Sequence, residues 1–133
     1  MKNTFKIEIV GPEKIIFSSE DMSEVILPSY EGEIGILKDH ISIISFLKPG
    51  IIKIFKSSES AKSFFVQSGI IEFNNNNLTI LSSDIIDLNY LKKEKIEQLI
   101  AEAEKILEDK KLNDGNRYLV NQKIDTLRYL NFN

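Results

Sequence analysis

With 133 residues, 15.2 kDa and no cysteine, the chain can bury a core of its own as one domain, or one domain with an appendage, and has no disulfide framework or thiolate chemistry. A net charge of -3 and a sequence pI near 5.3 exclude the basic footprint that nucleic acid requires. No apolar run approaches the ~18 residues of a membrane-spanning helix, and Met1-Lys2-Asn3-Thr4 leads straight into alternating residues, so no membrane insertion, no leader segment and a cytoplasmic setting are expected.

Up to about Asp84 the apolar residues alternate or form short runs between turns. Phe5-Lys6-Ile7-Glu8-Ile9 alternates cleanly, which predicts a strand with one buried face and one wet face. Gly11-Pro12-Glu13 reads as a turn, Lys14 to Phe17 as a second strand, and Met22 to Leu27 as a third with Val25 and Leu27 on one side. Ile34 to Leu37 and Ile41 to Leu47 are the next pair. Pro49-Gly50 reads as a type II turn, with Pro presetting φ and Gly taking a positive one. Ile51 to Lys56 and Lys62 to Gln67 flank the polar tip Ser57-Ser58-Glu59-Ser60; in the second strand Phe64 and Val66 oppose Phe65. Ile70 to Phe73, the turn Asn74 to Asn77, and Leu78 to Leu81 complete the set. Short strands at this spacing, with turn signals between them, indicate a β-sandwich or barrel.

Beyond Asp84 the period becomes helical. Ile96, Leu99, Ile100, Ala103, Ile106 and Leu107 form one stripe, with Asp87 or Asn89 as the expected N-cap. Asn113-Asp114-Gly115 breaks the pattern, and Val120, Ile124 and Leu127 form a second stripe. The division is therefore a sandwich over residues 1–85 and an antiparallel two-helix hairpin over 86–133. Both stripes are narrow, so the hairpin is expected to lean on the sandwich or on another protein. Lys92, Lys93 and Lys95 crowd the positive end of the first helix dipole, and Glu108 and Asp109 its negative end, partly offset by Lys110 and Lys111. Each misplaced charge costs roughly 0.3–1 kcal/mol. Two readings stay open: a solvated surface, or a hairpin stable only when docked.

Catalytic constellations are absent from the sequence. There is no Gly-x-Ser-x-Gly elbow and no phosphate loop ending in Gly-Lys-Ser/Thr. His40 is the sole imidazole, which excludes a multi-histidine metal site. Glu31 and Glu33 read as surface carboxylates, not an acid–base pair, and His40 as a turn or interface residue.

Leu27-Pro28, Glu31-Gly32-Glu33-Ile34-Gly35-Ile36-Leu37, His40 and Leu47-Lys48-Pro49-Gly50 together resemble the epsilon-subunit family of F-type ATP synthases, whose mitochondrial homologue is called delta. The resemblance continues through Phe65-Val66-Gln67-Ser68-Gly69-Ile70-Ile71-Glu72-Phe73 and Asn77 to Asp84, in order and in spacing. It implies a flattened sandwich of about ten strands followed by two helices. It also implies a non-catalytic rotor subunit of the central stalk, peripheral on the cytoplasmic face of the bacterial inner membrane. The implied partners are the gamma subunit and the c-subunit ring, with the helices able to reach the alpha/beta catalytic head and inhibit ATP hydrolysis. Glu31, Gly32, Glu33, Gly35 and His40 are the implied contacts: the carboxylates for arginine in c-subunit loops, the glycines for close backbone approach. An alternative from another class is a free-standing β-sandwich adaptor whose hairpin drives oligomerisation.

One departure bears on ligands. Some bacterial members of that family bind ATP through Ile-Asp-x-x-Arg-Ala, and the matching run here is Ile86-Asp87-Leu88-Asn89-Tyr90-Leu91. Tyr90 replaces the arginine, and the two arginines of the second helix fall at Gln122 and Thr126. Without those cations the expectation is no bound nucleotide, cofactor or metal.

Overall fold

The computed structural model describes residues 3–56 and 62–132. Eight strands are present among them: β1 (Phe5–Val10), β2 (Ile15–Met22), β3 (Glu24–Ser29), β4 (Gly32–Ile36), β5 (Ile43–Leu47), β6 (Gly50–Phe55), β7 (Lys62–Asn74) and β8 (Asn77–Asp87). A 3-10 turn at Leu88–Tyr90 leads into helices α1 (Lys93–Leu107) and α2 (Asp114–Phe132). The polar tip at residues 57–60 lies outside the described residues.

The strands form one sheet in the order β2-β1-β8-β7-β5-β3-β4, with β6 pairing both β3 and β7. It closes over a single core to which strands from both ends of that order contribute, including Ile7, Ile9, Val25, Leu27, Ile36, Phe64, Val66 and Phe73. Folding the sheet onto itself makes the two layers of the predicted sandwich. Each of these large side chains contributes roughly 1.5–3 kcal/mol on full burial.

Several local expectations need correction. The runs Lys62 to Gln67 and Ile70 to Phe73 are one strand, β7, with register irregularities against β8 around residues 66–70, so eight strands stand where about ten were implied. At that irregularity the Ser82 hydroxyl donates to the Ser68 carbonyl at 2.6 Å and accepts from the Asp84 amide at 3.0 Å, so a buried side chain repairs the interrupted ladder. Met22 belongs to the end of β2, not to β3.

Pro49-Gly50 is not a chain reversal. β5 and β6 run in the same direction along β7, Ile43 opposite Phe73 through Ile54 opposite Lys62, so the Lys48-Pro49 break interrupts one line of strand. Gly50 does not have a positive φ; among the described glycines only Gly32 does, at +118°, following the Tyr30-Glu31 turn. Glycine at 50 instead answers a close approach, because a Cβ there would lie 2.6 Å and 2.9 Å from the Pro28 ring carbons. The Asn74 to Asn77 turn is as expected: Asn75 and Asn76 take φ of +50° and +57°, the left-handed pair that a two-residue hairpin demands.

The helical hairpin is docked. Phe65, facing away from Phe64 and Val66, packs with Leu91, Ile96, Leu99 and Leu127 in a second buried cluster, joined by Ile86, Leu88, Ile100 and Leu130. The third surface that the narrow stripes required is therefore the outer face of the sandwich. β8 carries Ile86 and Asp87 beyond the point where the alternating pattern fades. Asp87 caps the 3-10 turn, accepting from the Asn89 amide; α1 starts after Lys92 with no side-chain cap, contrary to the expected cap at Asp87 or Asn89. At the other end of α1, Arg117 of α2 donates to the carbonyls of Leu107 and Asp109 at 3.1 and 3.2 Å. That cation answers the negative helix end which Glu108 and Asp109 aggravate. Asn113 caps α2 through the Asn116 amide at 2.7 Å, so Gly115 stands inside the first turn instead of breaking the helix.

Substituting Gly50→Ala drives a methyl into a rigid proline ring. The expected result is a loss of about 1–3 kcal/mol, read as a lower urea midpoint with unchanged slope; an unchanged midpoint refutes the close-approach explanation.

Candidate interaction surfaces

Alternation along β5 sends Ile43, Ser45 and Leu47 inward and leaves Ile44 and Phe46 outside, 65% and 61% exposed. Ser45 meets the buried Ser29 hydroxyl at 3.1 Å, so the polar residue of this strand is spent inside. Register then lines up neighbours across the sheet: Phe46 opposite Ile70, Ile70 opposite Leu81, Leu81 opposite Val10. One row across β5, β7, β8 and β1 is thus apolar on the outer face. The next row, Ile44, Glu72, Thr79 and Glu8, is mixed. Exposed Tyr30 flanks the apolar row, and an open groove of about 530 Å³ runs beside it between Gly11-Pro12, Phe46 and Ser82-Ser83. A contiguous apolar face of this kind marks a protein contact.

These residues escaped the sequence reading, although a signal was available. Ile43-Ile44, Phe46-Leu47 and Ile70-Ile71 are adjacent apolar pairs, and a strand apolar on both parities has both faces to cover.

The residues implied by resemblance do not form one cluster. Glu31 is exposed in the β3–β4 turn, its amide donating to Ser29 Oγ at 3.1 Å, and Gly32 follows it. Glu33, opposite Pro28 on β4, faces a second groove shared with Lys48, Lys53 and the α2 residues Gln122, Asp125 and Thr126. Gly35 is exposed, and a Cβ there would make only an ordinary 3.8 Å contact with Glu24, so nothing within the chain demands glycine. His40 stands beyond the other end of β5: its Nδ1 is 2.7 Å from the Ile41 carbonyl and its ring lies edge-on to Phe73. The Tyr30 amide bonds to Phe46 at the far end of the same strand. A five-residue strand, roughly 13 Å at 3.3 Å per residue, therefore lies between His40 and the Glu31 turn.

In the Ile86-Asp87-x-x-Tyr90 run each residue is accounted for. Ile86 packs against the hairpin cluster and Tyr90 is exposed. Asp87 is held by Lys62 at 2.8 Å and by the Asn89 amide at 2.9 Å. Burial pushes this carboxyl up, but the Lys62 and Asn89 hydrogen bonds and the Lys62 charge together hold it below its ordinary 3.8. Gln122 and Thr126 do line the α2 groove, where the sequence reading overlooked the cations Lys48 and Lys53; Lys48 is bonded to the Tyr118 hydroxyl at 3.2 Å. No group of three or more histidine, cysteine or acidic side chains converges on a metal position among the described residues. Among the same residues no helix is long and apolar enough to cross a membrane.

Fold and surfaces define the class: a β-sandwich carrying a two-helix arm, one outer face covered by that arm and the other open. The model of the ATP synthase delta/epsilon chain β-sandwich domain matches residues 4–87. The ATP synthase epsilon chain of Pelagibacter ubique (strain HTCC1062) is 54% identical over 131 residues, 98% of this chain and 100% of the relative. The mitochondrial ATP synthase subunit delta of Pichia angusta is 32% identical over 104 residues, 77% of this chain and 65% of its own. A chain of the Euglena gracilis mitochondrial ATP synthase structure (OSCP/F1/c-ring) shares the fold at TM-score 0.77 and 16% identity, covering 97% of this chain and 81% of that one. A chain of the Tetrahymena thermophila mitochondrial ATP synthase central stalk/c-ring does so at 0.67 and 15%, covering 98% of each. The chain belongs to the ATP synthase delta/epsilon family, as its motifs indicated.

Because the folded-state pKa of Asp87 is depressed, its contribution is complete above 3.8 and is lost as pH falls below that value. Asp87→Asn should therefore lower the urea midpoint at neutral pH, and the gap from wild type should narrow as pH falls below 3.8. A gap that is constant with pH removes the ion pair from the explanation.

Proposed function

We propose that this chain is a non-catalytic central-stalk subunit of the rotor, fixing the gamma subunit to the c-subunit ring at the cytoplasmic face of the bacterial inner membrane, without entering the bilayer. The observation that carries this reading is the open apolar row Phe46, Ile70, Leu81 and Val10. Gamma covers that row, with Tyr30 at its rim. The exposed Glu31 turn supplies charge to the ring loops, and Gly32 and Gly35 keep the backbone low there. A coupling part transmits torque only if it does not deform, and a close-packed two-layer core meets that need. The α1–α2 arm is the regulatory element, able to reach the alpha/beta head when it leaves its seat. The adaptor alternative is weakened by the seat itself, because the arm's buried stripe is already used against Phe65.

Phe46→Asp and Leu81→Asp, both at exposed positions, should reduce gamma co-purification by more than tenfold while leaving the urea midpoint within about 0.5 kcal/mol of wild type. Glu31→Lys should instead release the ring while retaining gamma, most clearly at low salt. Retention of gamma by both aspartate variants overturns the assignment of the apolar row.

The same reading has the arm move without a nucleotide signal. Asp87 is already engaged by Lys62 and Asn89, and Tyr90 supplies no cation. Calorimetry of the full chain with ATP should show no saturable heat in the micromolar range. Saturable binding there, with NMR shifts around Asp87 and α2, restores a nucleotide sensor.

A further inference from the structure

We infer that the Lys62–Asp87 ion pair is the catch that holds the helical arm in its seat, and that opening this pair releases the arm as a unit.

Asp87 is the last residue of β8, and everything beyond it belongs to the connector and the arm. Its two carboxylate oxygens face different parts of the molecule. Oδ2 accepts from Lys62 Nζ, on the first residue of β7, at 2.8 Å. Oδ1 accepts from the Asn89 amide, in the connector, at 2.9 Å. One side chain therefore ties the body to the connector.

The body's end of the tie is itself held. Lys62 Nζ lies 5.6 Å from the Phe17 ring centroid and 5.7 Å from that of Phe64. Phe64 is in the main core, so the ammonium is braced by the part of the molecule that does not move. Shelter is on the acid's side of the pair: the Asp87 side chain is 14% exposed and that of Lys62 37%, against 44% and 45% for the partners of the Lys56–Asp21 pair. Shelter from water and salt is what separates a pair that matters from the usual surface pair.

Among the described residues the arm has further ties to the body, among them the attraction of Lys123 on α2 to Asp84 of β8. Beyond the seat of Phe65, Leu91, Ile96, Leu99 and Leu127, the far end of the arm is tied by the Lys48–Tyr118 hydrogen bond, which is exposed. The two interhelical contacts, Arg128 with Glu104 and Arg117 with the end of α1, travel with the arm and do not oppose its departure. An arm that docks and releases has two states close in free energy, and an interaction made only in the docked state biases their balance.

The inference rests on reading α1–α2 as a movable arm, a part of the proposed function, but not on which partner takes the sandwich. Its test uses the isolated full chain and so stands or falls apart from gamma or ring binding. The native sequence has no cysteine, so nitroxides at Lys53→Cys and Asp125→Cys, which line one groove, report docking by dipolar coupling. Lys62→Met keeps the apolar stem over Phe17 and Phe64 and deletes the charge. Asp87→Asn keeps the volume and an acceptor for Asn89. Each should raise the uncoupled population about tenfold, and the double variant should add little to either single one, the signature of a shared interaction. Amide exchange at Ile96, Leu99 and Ala103 should quicken by the same factor. Unchanged spin coupling in both single variants overturns the inference. So does exchange that quickens in β1 and β8 but not in the helices, since that describes a pair stabilising the body and not the seat.

Discussion

The structure depends on two adjacent phenylalanines that face opposite ways. Phe64 enters the core between the layers, and Phe65, its neighbour on β7, leaves through the outer face. Period two along a strand makes this unavoidable. Because both rings are apolar, both sides of β7 must be covered, and a two-layer sandwich covers only one. The arm is what covers the other. Without Phe65 outside, α1 and α2 would have no seat; without Phe64 inside, the strand would have no core.

The same logic, carried to the other end of β7, separates the molecule's two outer faces. Residues 62–66 pair with β6 and residues 69–73 with β5, since β5 and β6 lie in line along one long strand. At the first half the outer apolar side chain meets the chain's own helices. At the second half Ile70 lies between Phe46 and Leu81 in the open apolar row. One strand thus serves an internal contact and an external one, joined by continuous backbone. Rigidity between the two is built in, because the core between the layers admits little deformation. The carboxylates of Glu31 and Glu33 divide in a similar way, one exposed at the turn and one on the groove beside α2.

Much of this was legible in the sequence, for physical reasons that differ by element. The change from period two to period 3.6 after Asp84 separates sheet from helices because each period buries a face of its own. The opposed faces of Phe64 and Phe65 follow from parity alone. The Asn75-Asn76 turn was legible because few residues tolerate left-handed φ. Pro49-Gly50 misled because the same pair of residues serves a reversal and a close approach, and only the position of the Pro28 ring tells them apart. The α1 cap misled because Asp87 satisfies a short 3-10 turn first, and two further residues, Leu91 and Lys92, pass before the helix begins. The open row at Phe46, Ile70 and Leu81 was hidden because register, which sets it, joins residues far apart in sequence. His40 and Glu31 share a motif but not a location, since β5 stands between them. Proximity in the chain overstated their proximity in space.

The parallel pairing of β1 with β8 carries a consequence for how the molecule is made. Lys6 to Val10 lie beside Asn77 to Leu81, so the first strand finds this partner only after some seventy further residues exist. Until then one edge of β1 is open, and the body cannot finish closing around Ile7 and Ile9. Contacts so distant in sequence form slowly, because a long loop must be ordered before they repay it. The strand that completes the sheet is also the strand that launches the arm. Phe65 and Ile86 are brought side by side by the pairing of β7 with β8, so the seat of the helices depends on that pairing. The strands that form the seat thus precede, in the chain, the helices that occupy it.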